Sequence, residues 1–98
     1  MTEHELTHII IREAIHIRKT IGPGLLERIY VECLYYRLKN LGLQIIREMP
    51  IPVIFEEVKM ECGYRADLVV ENKVIVKVKS IEGIAEIFVS QDNNLLKV

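Results

Sequence analysis

Apolar residues along the first part of the chain recur in steps of three and four: Leu6, Ile9, Ile10, Ala14, Ile17 and Ile21. That spacing marks one face of a helix. Thr2 followed by Glu5 is a capping-box pattern, so the helix is predicted to begin almost at once. Ile11 and Ile15 widen the stripe and predict cover on more than one side. Gly22-Pro23-Gly24 breaks the helix. A second stripe follows at Leu26, Ile29, Cys33, Leu34, Leu38 and Leu41, predicting a helix over about 25–41. Gly42 is placed to cap its C-terminus, with Lys39 in the last turn.

The period then shortens. Residues 43–47 and 50–55 read as strands, the second with prolines at its start, as at a sheet edge. Residues 58–70 read as one long strand that can bend at Gly63, and 74–79 as a central strand after the turn Glu71-Asn72-Lys73. Residues 84–96 are helix-like, weakened by Asp92-Asn93-Asn94. The predicted fold class is α+β: two N-terminal helices packed on a four-stranded, mainly antiparallel sheet, followed by a C-terminal helix, all in one domain over 1–98.

Composition narrows the options. Half of the 98 residues are hydrophobic and 28% are charged, which suits a packed core rather than a disordered tail. The net charge of −1 gives no global field for nucleic acid, so such binding needs a local basic patch. Cys33 and Cys62 form no CxxC pair, and a disulfide is not expected. No apolar run approaches the ~18 residues of a membrane span, and the acidic, polar N-terminus does not read as a signal peptide. The expectation is a cytoplasmic protein with no membrane partner.

Asp67 and Lys77-Val78-Lys79 form the strongest chemical constellation. Alternation sends Lys77 and Lys79 to one face of their strand, and Asp67, across a short turn, can face the same side. Glu27 on the second helix can cover that face. Hard divalent cations take carboxylate oxygens, and a nearby lysine can steer water or stabilise charge developing on a phosphate. Arg65, Lys77 and Lys79 cluster beside Asp67. They either hold phosphate or satisfy nearby carboxylates such as Glu61 and Glu82.

Further motifs extend this pattern. Gly24-Leu25-Leu26-Glu27-Arg28-Ile29-Tyr30 is a GxxExxY signature, followed in order by Gly63-Tyr64-Arg65-Ala66-Asp67-Leu68, Lys73-Val74-Ile75-Val76-Lys77-Val78-Lys79 and Gln91. The chain resembles the GxxExxY family of the PD-(D/E)XK nuclease-like superfamily from the first helix to Gln91. The resemblance implies a restriction-endonuclease-like core and a Mg²⁺-dependent phosphodiesterase ancestry. It implies Glu27, Asp67, Lys79 and Gln91 as catalytic positions and Asp67 with Glu27 as metal ligands. Arg65, Lys77 and Tyr30 are the residues expected to meet a nucleic-acid substrate.

Two departures follow from that resemblance. Lys77 stands where the family pattern has an acid two residues before the lysine. At ~7 Å and an effective dielectric of ~20, its charge would repel a divalent cation by roughly 5 kcal/mol, an upper figure because lysine can swing away and salt screens it. Lys77 can instead pair with Asp67 and occupy the metal's place. The resemblance also implies further chain beyond Val98, and a truncated core would expose a sheet edge. The expectation is an impaired nuclease-like domain that binds nucleic acid or self-associates through an exposed sheet edge or the C-terminal helix. An active Mg²⁺-dependent nuclease is the alternative.

Two other motifs have simpler readings. His4-Glu5-Leu6-Thr7-His8 is literally HExxH, which on a helix could bind zinc and make the chain a hydrolase. That chemistry also needs a third ligand and a cleft, so the polar face of a terminal helix is the stronger reading. Tyr30, Tyr35 and Tyr36 could stack on bases, or sit at the boundary of an amphipathic helix.

Overall fold

The computed structural model describes residues 1–61, 63–79, 85–89 and 96–97. Helix α1 runs over Glu3–Ile21 and α2 over Glu27–Asn40. The capping box at the start of α1 is reciprocal: the Glu5 amide donates to Thr2 Oγ1 at 3.1 Å, and the Thr2 amide donates to Glu5 Oε1 at 2.9 Å. Two otherwise orphaned donors are satisfied in this way. At the end of α2, the Gly42 amide donates to the Lys39 carbonyl at 2.9 Å and the Leu43 amide to that of Leu38 at 3.4 Å. This is a Schellman closure, and Gly42 carries the positive φ of 83° that it requires.

The strands are β1 (Ile45–Pro50), β2 (Val53–Phe55), β3 (Val58–Met60), β4 (Arg65–Val70), β5 (Val74–Val78), β6 (Ala85–Val89) and β7 (Leu96–Lys97). The main sheet has the order β1-β4-β5-β6, antiparallel throughout. A smaller sheet has the order β3-β2-β7, with β7 parallel to β2. Leu68, Val70, Val74, Val76 and Val78 share one core with Leu6, Ile10, Ile17, Tyr30, Leu34 and Leu38 of the helices. Val69 and Ile75 belong to a second cluster with Ile51 and Ala66. β4 and β5 are thus buried on both faces, which explains their nearly unbroken apolar sequence.

A buried carboxylate ties the helices together. Glu13 accepts from Arg37 Nε at 2.6 Å and from Arg12 Nη2 at 3.2 Å. Arg37 does most to hold the Glu13 carboxyl below its ordinary range, more than offsetting the opposing effect of burial.

The strand layout departs from the sequence pattern at three places. The expected strand over 58–70 is two strands, Val58–Met60 and Arg65–Val70, in different sheets, and Gly63 between them takes φ 80°, which is not an extended conformation. The expected 43–47 and 50–55 become Ile45–Pro50 and Val53–Phe55. Within the predicted C-terminal helix, Ala85–Val89 is instead strand β6, paired with β5 along its whole length. Ile87, Phe88 and Val89 favour a strand, and the open edge of β5 supplies the partner. Residues 84 and 90–95 of that predicted helix lie outside the described residues, and Leu96 begins strand β7. Among the described residues, no helix is long and apolar enough to cross a membrane.

Candidate active site at the fork between β4 and β5

β4 and β5 pair from Val70↔Val74 to Leu68↔Val76. Beyond that point they stop pairing with each other, although both strands continue. β4 stays paired with β1 as far as Arg65, and β5 with β6 as far as Val78. The sheet therefore forks, and Asp67 stands at the fork.

Continuing the two registers by one step puts Asp67 opposite Lys77 on one side and Glu48 on the other. Asp67 Oδ2 accepts the Val78 amide at 2.6 Å. Lys77 Nζ lies 3.8 Å from Asp67 Oδ1. Glu48 sits in the left-handed region at φ 50°, which a residue with a side chain rarely adopts.

Asp67, Glu48 and Glu27 line one cleft of about 220 Å³, together with Arg28, Val31, Glu32 and Arg47. Glu27 occupies the first turn of α2, where the helix dipole favours a negative charge. Arg47 pairs with Glu32, and its guanidinium lies 4.4 Å from the Tyr35 ring centroid. Four carboxylates and two guanidiniums thus face the cleft. A larger groove of about 310 Å³ runs between α1 and α2 past Ile17, Cys33 and Tyr36; its exposed surface is mostly apolar, and it shares Glu32 with the cleft but not Glu27, Glu48 or Asp67.

Of the predicted site residues, Glu27 and Asp67 come together in the cleft. Lys77 touches Asp67. Arg65, at the start of β4, and Lys79, just past β5, are exposed beyond the point where the two strands stop pairing. Gln91 lies outside the described residues. Tyr30 is buried, 4% exposed, and its hydroxyl donates to the Gly22 carbonyl at 2.5 Å. That hydroxyl closes the turn between the helices. Sequence reasoning missed Glu48 and Arg47, because their place in the cleft depends on the pairing of β1 with β4.

These residues do not fit a divalent cation. Asp67 already accepts a main-chain N–H on one oxygen and faces an ammonium on the other. Among the described residues, no three His, Cys, Asp or Glu side chains converge to hold a metal. The HExxH motif fares no better. His4 and His8 are exposed, and the Glu5 carboxylate is engaged by the Thr2 amide, which lowers its pKa and weakens it as a base.

No curated protein and no solved structure gives a significant match. A family model for the PD-(D/E)XK nuclease superfamily matches residues 4–98. The match spans nearly the whole chain, including both helices and the fork that carries Asp67, and the chain belongs to the PD-(D/E)XK nuclease superfamily.

Proposed function

We propose that this domain is a GxxExxY-type member whose hydrolytic centre is impaired by Lys77, and that it acts as a nucleic-acid-binding module. The observation that carries the reading is the 3.8 Å approach of Lys77 Nζ to Asp67 Oδ1. A cation of the chain's own stands beside the carboxylate that a metal-dependent hydrolase would need free. In this reading Glu27, Asp67, Lys79 and Gln91 are the inherited catalytic positions, with Mg²⁺ as the ancestral cofactor.

The binding surface in this reading is Lys77 beside Asp67, with the exposed Arg65 on β4 and Lys79 just past β5. Phosphate contacts of this kind are sequence-independent and sensitive to salt. Three neutralised phosphates on a duplex give a log–log salt slope of roughly −2.7, so affinity should fall about 40-fold between about 50 and 200 mM salt. Fluorescence anisotropy with labelled single-stranded DNA, duplex DNA and RNA measures this directly. The double variant Arg65→Ala/Lys79→Ala should bind more weakly and with a shallower slope. Absence of binding to all three polymers at the lowest salt would refute the reading.

One observation favours self-association as a second reading. The β2–β3 hairpin exposes Phe55, Val58 and Met60 at 47, 55 and 40%. Apolar side chains on a strand pair with an open edge are suited to pairing with another copy. Sedimentation of the wild type and of Phe55→Ser/Val58→Thr would separate the two readings.

A further inference from the structure

We infer that Asp67 and Lys77 form a structural clasp that does the work of a bridging cation, holding β4 to β5 where their backbone ladder ends. The inference rests on the reading of this fork as the former hydrolytic centre, and it explains why the residues there do not fit a divalent metal.

At an unsupported fork the main-chain groups facing the gap lose their ladder partners, and a buried orphan N–H is destabilising. Here the Val78 amide finds an acceptor in Asp67 Oδ2 at 2.6 Å, so a side chain replaces the missing carbonyl across the gap. That contact places a carboxylate among the buried residues Ala66, Leu68 and Val78. Its other oxygen faces Lys77 Nζ, which comes from the same strand as Val78. One β4 side chain therefore grips β5 twice, once through the main chain and once through an ammonium. Both side chains are partly exposed, at 23 and 31%, so the ion pair alone contributes modestly. The charge-assisted bond to the amide is the stronger half. A divalent cation would have to displace the ammonium from Oδ1 to reach the same carboxylate.

The test is hydrogen exchange of the Val78 amide, with thermal unfolding run in EDTA and in Mn²⁺ and no nucleic acid present. The wild type should unfold at the same temperature in both solutions. Asp67→Asn keeps an acceptor and should retain most of the Val78 protection, whereas Asp67→Ala should lose at least about tenfold. Lys77→Glu should unfold earlier in EDTA and regain stability in Mn²⁺. A wild-type midpoint that rises in Mn²⁺, or unchanged Val78 protection in Asp67→Ala, would overturn the clasp. If Asp67→Ala does not fold, Asp67→Asn carries the test: Val78 exchange modestly faster than in the wild type supports the clasp, and exchange identical to the wild type refutes it. Nucleic-acid binding can fail while the clasp holds, so the two readings are separable.

Discussion

The hydroxyl of Tyr30 donates to the carbonyl oxygen of Gly22 at 2.5 Å and receives the Leu25 amide at 3.4 Å. One buried side chain on α2 thereby closes the turn that follows α1. Gly24, inside that turn, takes φ 96°, a region that favours glycine. In the GxxExxY signature the glycine and tyrosine shape the hairpin, and the glutamate between them faces the cleft.

Tyr30→Phe keeps the ring but leaves the Gly22 carbonyl and the Leu25 amide without this partner. The expected loss is about 1–2 kcal/mol, measured by urea unfolding. A change within error would mean that solvent replaces the hydroxyl without penalty.

Glu13 gives the fold an acid-sensitive element. Its folded pKa lies below the ordinary value of 4.5, chiefly through Arg37. A carboxyl with a depressed folded pKa contributes stability that is fully present above its unfolded pKa and is lost as pH falls through the folded one. Stability should therefore decline as pH drops below about 4.5, and Glu13→Gln should reduce that decline. At neutral pH the variant should be about 1–2 kcal/mol less stable, through loss of charge-assisted bonds. Urea midpoints across acidic and neutral pH decide the matter, and an unchanged slope would contradict the assignment.

The β2–β3 hairpin turns on Glu56 and Glu57, at φ 49° and 66°. A two-residue turn with both centres left-handed suits Asn-Gly far better than Glu-Glu. Glu56→Asn/Glu57→Gly should raise stability by about 1 kcal/mol, partly offset by the freer unfolded chain. Thermal unfolding of the double variant checks this, and destabilisation would mean that the glutamates make contacts worth more than the strain.

What could be read from the sequence follows the range of the interactions. Thr2 with Glu5, and Gly42 after α2, announce helix ends through bonds a few residues long. The meeting of Asp67 and Lys77 follows from strand alternation across a short turn. Glu48 was hidden, because its place beside Asp67 comes from the nonlocal pairing of β1 with β4. The same holds for Arg47 over the Tyr35 ring. β6 is ambiguous in the sequence, because a run of five residues is too short for periodicity to tell a strand from part of a longer helix. Tyr30 has helical spacing that fits either a core or a surface role, and only the turn geometry shows where its hydroxyl goes.

The proposed loss of hydrolysis turns on Lys77 standing beside Asp67. Incubating the purified chain with DNA and RNA in Mg²⁺ or Mn²⁺, beside Asp67→Ala, measures it most directly. With the Asp67 carboxylate engaged by Lys77, neither polymer should be cleaved above the Asp67→Ala background. Metal-dependent cleavage by the wild type that disappears in Asp67→Ala would contradict this and identify an active phosphodiesterase.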